Sequence, residues 1–381
     1  MTGPLTGVKV VELAGLGPGP FAAMMLADMG ADVIKVDRSS AARGGNPDAP
    51  PADVLHRNRQ SIAVDLKNSD GLETVLRLVE QADVLIEGFR PGVCERLGIG
   101  PDVCLARNPK LVFGRMTGWG QDGPMAERAG HDINYIALSG TLSMIGRAGD
   151  TPVPPINLVG DFGGGGMLLA VGVLAALHES KSSGQGQVVD AAMVDGAALL
   201  ASMMYGLSAM GLWGGGRGAN LLDTGAHFYE VYRTADDKFV SIGGIEPQFY
   251  AELLERLELD PEAMPGQHDA TRWPESKAII AERVATKTRD EWDVVFEGSD
   301  ACYAPVLEPA EAMVHPHNVE RGTFVNVAGV DQPAPAPRFS RTPSATPMPP
   351  AHAGQHTDDA LARWGVSVEE IVALRDSGAI A

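Results

Sequence analysis

Cysteine is nearly absent: Cys94, Cys104 and Cys302 are the only three, and none stands in a CxxC or Cys/His cluster. So small and odd a number excludes a disulfide-stapled scaffold and a structural zinc site, and fits a reducing compartment. A basic excess is also lacking. Thirty Lys/Arg face 49 Asp/Glu for a net charge of −19, and nucleic acid requires a basic face, so it is excluded as a partner. No uncharged apolar run reaches 18 residues, and MTGPLTGVKVVEL has neither the basic nor the apolar region of a leader. The expectation is a cytoplasmic protein without a membrane partner. Aromatics make up only 6% of the chain, but apolar residues make up 44%, enough for a large core. At 381 residues, two domains are expected.

Strand-length apolar runs alternate with helical segments over the first 190 or so residues. VKVVEL (8–13), the amphipathic FAAMMLADMGA (21–31) and DVIKVDR (32–38) make a βαβ unit, which demands a parallel sheet with a right-handed crossover. SIAVDL (61–66), SDGLETVLRLVEQA (69–82), DVLIEGF (83–89) and KLVFGRMTGW (110–119) continue the alternation. The pattern implies an α/β fold, a doubly wound Rossmann-like parallel sheet. GLGPGP (15–20) resembles a dinucleotide fingerprint, but Pro18 and Pro20 lack the N–H groups that phosphate needs there. Residues 39–53 read as loop, and 185–210 as a strand followed by one Met-rich helix.

From HFYEVYRTADDKFVSIGGI (227–245) onward the periodicity changes to an antiparallel hairpin and then amphipathic helices, a smaller α+β domain. The expected organisation is a large domain over 1–195, completed by 325–381. A helical, glycine-rich linker over 196–224 and the small domain over 225–310 follow. A return segment over 311–381 carries the proline-rich strap DQPAPAPRFSRTPSATPMPP (331–350) and a C-terminal helix. One charge feature breaks the acidic trend: residues 35–115 hold 12 Lys/Arg against 11 Asp/Glu. An anionic ligand would be met there.

Ionisable groups and glycines concentrate between 129 and 168. AGHDINY (129–135) places His131 in a glycine-flanked turn, and GDFGGGGM (160–167) places Asp161 before four glycines that open an apolar helix. Taken singly, His131 reads as a hydrogen-bonded structural histidine and Asp161 as a helix N-cap. Taken together they suit a base and an acid at one reacting carbon. The glycines would give Asp161 a helix N-terminus whose free N–H groups could receive a developing oxyanion, and would let a substrate approach the backbone. Burial would raise the Asp161 pKa and the helix dipole would lower it.

VVELAGLGPGPFAAMMLADMGADVIKVDR, ADVLIEGFRPGVCERLG, GHDINYIALSG, LVGDFGGGGM, GQVVDAAMVDG and GGIEPQFY (243–250) together resemble the α-methylacyl-CoA racemase branch of the family III CoA-transferase superfamily. The resemblance spans nearly the whole chain; GHDINY and GGIEPQFY are its more branch-specific strings. It implies reversible inversion of the α-carbon of a 2-methylacyl-CoA thioester, without metal, flavin or nicotinamide, the substrate itself carrying coenzyme A. His131 and Asp161 are then the acid/base pair and Glu246 the partner of the histidine. The resemblance also implies an interlocked homodimer, in which Glu246 serves the His131 of the neighbouring subunit. The CoA-binding set it implies is Arg38, Lys67, Arg90 and Arg96 at the phosphates, Gly88 and Phe89 at a strand end, and Val64, Asp65 and Leu66 at the adenine. Gly130, Asp132, Ile133, Asn134 and Tyr135 follow around the histidine turn. The loop at 39–53 is longer than the family pattern. A CoA-transferase of the same fold would use Asp161 as a nucleophile instead, and a non-catalytic acyl-CoA-binding protein would need neither group. A Met-rich acyl pocket predicts tolerance of the acyl chain.

Overall fold

The computed structural model describes residues 2–42, 44–46 and 48–381, which fold as two compact units. The first comprises residues 2–139, 156–200 and 318–381. Its sheet has six strands: β1 (Lys9–Leu13), β2 (Asp32–Arg38), β3 (Gln60–Val64), β4 (Val84–Glu87), β5 (Val112–Thr117) and β6 (Gln187–Ala192). Their order is β3-β2-β1-β4-β5-β6 and every pairing is parallel. This is the doubly wound order, which reverses direction between β1 and β4.

The near-continuous Val/Ile/Leu runs exist because both faces are covered. Val11, Ile34, Ile62, Leu85 and Phe113 pack on one side with Leu361 and Trp364 from the C-terminal helices. Val10, Val33, Val84 and Val112 pack on the other with Leu26, Leu169 and Val173. Helix α1 (Pro18–Asp28) begins at Gly17, φ 69°, and opens on prolines where the first-turn N–H groups are dispensable. It is buried on nearly all sides rather than amphipathic, because it packs both on the sheet strands and on the helix that follows residue 157.

Helices α2 (Ser69–Val79), α3 (Val93–Leu97), α4 (Pro101–Arg107) and α5 (Asp132–Leu138) follow in order. A π-helical segment, Leu158–Met167, runs directly into α6 (Leu168–Ser183), and α7 (Met193–Leu200) follows β6. By length and composition Leu158–Ser183 could cross a membrane; here it packs on β5 and β6. The Met-rich stretch breaks at Ala201, ending α7 before a separate helix, Ser202–Ala209. The proline-rich strap begins as a strand, since Val330–Pro333 pairs antiparallel with Phe324–Val327 as a hairpin. Arg57 ties that hairpin down: its guanidinium bonds Asp28 at 2.5 and 3.1 Å and Gln332 at 2.9 Å.

The second unit comprises residues 140–155 and 201–317. Glu230–Arg233, Phe239–Ile242 and Tyr303–Pro305 form an antiparallel sheet, covered by helices that include Pro247–Arg256, Trp273–Val284 and Arg289–Phe296. Phe228, Leu253, Ile280 and Trp292 are at its centre.

Candidate active site

A cavity of about 270 Å³ opens at the carboxyl ends of β1, β4 and β5, where the strand order reverses. Open α/β sheets bind ligands at this position. Its wall includes Leu13, Gly15, Leu16 and Pro18 after β1, Gly88, Phe89 and Arg90 after β4, and Thr117 and Trp119 after β5. Ala129, Gly130, His131 and Tyr135 complete it. The first unit therefore brings together six of the residues singled out in the sequence: Gly88, Phe89, Arg90, Gly130, His131 and Tyr135.

His131 is the N-cap of α5 and is exposed. Its backbone N–H donates to Asn134 Oδ1 at 3.0 Å, which fixes the turn and leaves the ring at the cavity. Tyr135 closes the same turn, its hydroxyl donating to the Gly130 carbonyl and its ring meeting Trp119 edge-on at 4.7 Å. Burial pushes the Tyr135 hydroxyl above the ordinary tyrosine range. Ile133 points outward, 46% exposed. Asp132 is buried, and its Oδ2 accepts the Asp161 N–H at 2.7 Å, so the carboxylate orients the neighbouring turn.

Asp161 lies in the first turn of the π-helical segment, half-buried, with Asn157 Nδ2 donating to its Oδ2 at 3.1 Å. A Cβ on Gly17 would lie 3.5 Å from that oxygen; the carboxylate thus abuts the Gly15–Pro18 turn that walls the cavity. Burial raises the Asp161 pKa above the ordinary carboxyl value, and the Asp132 charge adds to this, against smaller lowering by Asn157 and His131. Burial outweighs every opposing influence.

The glycine run does something other than expected. Gly164, Gly165 and Gly166 are buried. A Cβ on Gly164 would sit 2.6 Å from the Ala197 nitrogen, and one on Gly166 2.7 Å from the Phe21 ring. Glycine is required there so that this helix can cross α7 and α1 backbone-to-backbone. The Asp161 N–H is already taken by Asp132 and the Phe162 N–H by Asn157 O, so neither is a free oxyanion donor.

The remaining cations follow the same sheet edge. Arg38 ends β2, Lys67 follows β3, Arg90 follows β4 and Arg96 sits in α3, all exposed. Between 35 and 115, Lys35, Arg57, Arg59, Arg77, Arg107 and Arg115 are in ion pairs. Among the described residues Arg38, Lys67, Arg90 and Arg96 are not, and neither is Lys110, which lies at the opposite, amino end of β5. Four unpaired cations therefore share the edge that carries the cavity, although only Arg90 lines it. Val64 is 2% exposed in the core, with Leu66 packed against the same cluster. Asp65 accepts the Lys67 N–H at 2.9 Å, forming a turn where a strand was expected. Glu246 belongs to the second unit, where it occupies the N-cap position of helix Pro247–Arg256 without a side-chain capping bond.

The family model described as CoA-transferase family III matches residues 5–357. The chain belongs to this family. Among its relatives, alpha-methylacyl-CoA racemase of Mus musculus is 48% identical over 97% of this chain and 96% of its own length. The Homo sapiens protein of the same name is 45% identical over the same shares. The crystal structure of a CAIB/BAIF family protein from Brucella suis superposes with a TM-score of 0.81 at 25% identity, covering 96% of this chain and all of that one.

Within this family III framework, sequence reasoning missed three neighbours of the site. Leu16, 92% exposed at the cavity mouth, sits between two glycines. Arg128 lines the cavity three residues before His131. Asn157 stands four residues before Asp161, one helical turn away, and that spacing was the readable signal. Among the described residues no group of three or more His, Cys, Asp or Glu is arranged to hold a metal ion.

Proposed function

We propose that this family III chain interconverts the (R)- and (S)-epimers of 2-methylacyl-CoA thioesters by proton transfer through an enolate. A thioester α-proton is weakly acidic, so inversion needs one base, one acid on the opposite side, and nothing that accepts electrons beyond the carbonyl itself. No added cofactor enters the reaction; coenzyme A arrives with the substrate. His131 and Asp161 are the proposed pair. The observation that carries the reading is geometric: His131 lines the cavity, and the half-buried Asp161 carboxylate abuts the Gly15–Pro18 turn that walls it, with burial raising its pKa. An aspartate of ordinary acidity is a poor proton donor near neutrality, and a buried one is a better match to an enolate.

Coenzyme A is proposed to lie along the carboxyl edge of the sheet with its phosphates met by Arg38, Lys67, Arg90 and Arg96, through charge-assisted bonds. Val64, Asp65 and Leu66 would border the adenine, and the 130–135 turn the thioester. Glu246 is the proposed carboxylate partner of His131 in a homodimer, holding the ring's tautomer and steadying its charged form. Apolar side chains exposed on the first unit support a dimer: Leu138, Leu158, Val171 and Leu199 are 57–61% exposed.

The test is incubation of one epimer of a 2-methylacyl-CoA in D₂O with no acceptor acid. Deuterium at the α-carbon with loss of optical purity is expected. Absence of α-deuteration there, together with CoA transfer onto a free carboxylate in a parallel incubation that supplies one, would replace this reading with CoA transfer by an Asp161 nucleophile.

A further inference from the structure

The connection 88–97 carries Gly88, Phe89, Arg90 and Arg96, and at both ends it hangs on one buried arginine. Glu87, the last residue of β4, is 1% exposed. Its Oε2 accepts the Phe89 N–H at 2.7 Å, two residues into the connection, and its Oε1 accepts Arg115 Nε at 2.9 Å. Glu87 and Arg115 face each other across β4 and β5. The other side of the Arg115 guanidinium forks onto Glu95 in α3, at 2.9 and 3.3 Å, one residue before Arg96. Arg115 is 6% exposed.

Burying one guanidinium against two carboxylates is a poor way to gain stability, because desolvation cancels most of the attraction and apolar side chains of similar volume serve as well or better. What the network supplies is direction. A guanidinium presents its donors in a fixed plane, so the β4 terminus and α3 are held in one relative geometry. Arg90 then projects from between the two fixed points, and Arg96 from the residue that follows the second. Burial holds the Glu87 pKa up, and the Phe89 N–H and Arg115 oppose this; its charge depends on those partners being in place.

We propose that Arg115 is a positioning residue for the nucleotide end of the substrate. Through Glu87 and Glu95 it holds the 88–97 connection so that Arg90 and Arg96 meet the phosphates of coenzyme A. This rests on the assignment of that sheet edge to coenzyme A made above.

The experiment measures CoA affinity by calorimetry and inversion kinetics for wild type, Arg115→Met, Arg115→Lys and Glu95→Gln. Arg115→Met is expected to weaken CoA and raise KM about tenfold, the equivalent of one charge-assisted hydrogen bond, with kcat changed by less than about twofold. Arg115→Lys restores part of the loss, since it keeps the charge without the fork. Glu95→Gln, whose side chain is 45% exposed and whose folding is therefore secure, keeps Glu87 in place and weakens CoA by roughly threefold. It decides the matter where Arg115→Met fails to fold. Wild-type CoA binding with unchanged affinity and KM in the folded variants overturns the inference alone, as does a fall confined to kcat. A wild-type chain that does not bind CoA overturns the functional reading and the inference with it.

Discussion

Asp161 in the first unit and Glu230 in the second are both withdrawn from water, and their acidities move in opposite directions. For each, burial is the largest influence and favours the protonated acid. Glu230 overcomes it: Arg147 bonds both its oxygens at 2.9 Å, the Val231 N–H reaches one at 2.7 Å and Lys277 the other at 3.0 Å, so its pKa ends below the ordinary value. Asp161 has one neutral amide, Asn157, and a second carboxylate nearby, and its pKa ends above. The structural carboxylate is hydrogen-bonded by two cations and the candidate acid by none, with only the weaker, through-space influence of His131. Poising a proton here required leaving a partner out.

The strongest way to break this contrast is Asp161→Asn. If Asp161 carries the proton, inversion should fall by roughly three orders of magnitude or more, measured as α-deuteration of a single epimer. The same variant should melt higher than wild type at pH 7–8. The sign follows from linkage: a carboxyl whose folded pKa is raised favours the native state while protonated and loses that contribution as the pH rises through the folded value. Asn cannot ionise, so its advantage should close as the pH is lowered toward the ordinary 3.8. A variant less stable than wild type at pH 8 would contradict the account of Asp161.

Glu230→Gln should do the reverse. Removing the charge leaves Arg147 and Lys277 facing a neutral amide, and breaking a buried pair costs about 3–5 kcal/mol. With the Arg147 side chain 54% exposed, about 2–3 kcal/mol is the expectation for the unfolding of the second unit in denaturant. A lowered folded pKa gives stability that is present above the ordinary 4.5 and lost as the pH falls through the folded value, so this deficit should vanish in acid. The two variants should therefore diverge from wild type in opposite senses at neutral pH and converge on it in acid.

Much of the first unit could be read directly. Strand-length apolar runs spaced by helices specified a doubly wound sheet, because parallel strands buried on both faces leave an unmistakable composition. Family strings brought His131 and Asp161 to notice, and four cations of the non-acidic segment, Arg38, Lys67, Arg90 and Arg96, stand at the sheet edge that carries the cavity. What could not be read is where each glycine or carboxylate faces. The four glycines resemble an anion-binding turn in sequence but serve a helix crossing, a tertiary fact set by Ala197 and Phe21 far along the chain. Likewise the two influences on Asp161 could be named but not ranked, since burial depends on what packs around it. Arg115 read as one more cation in a mixed segment until its two carboxylates were seen on either side.

The smallest expected effect is also the most direct test of why Asp161 differs from Glu230. Asn157 donates the one hydrogen bond that the Asp161 carboxylate accepts among the described residues, and that bond favours the ionised form. Asn157→Leu removes it, so the pKa should rise further, and the limb of the inversion pH profile belonging to Asp161 should move to higher pH by less than about one unit. Asn157→Lys places a cation beside the carboxylate and makes it resemble Glu230. The same limb should then move to lower pH: near neutrality less of the carboxyl is protonated to deliver to the enolate, and its weaker conjugate base slows proton abstraction in the reverse direction. Matching shifts of opposite sign in the two variants would tie the profile to Asp161. A profile that ignores both assigns its limbs to another group.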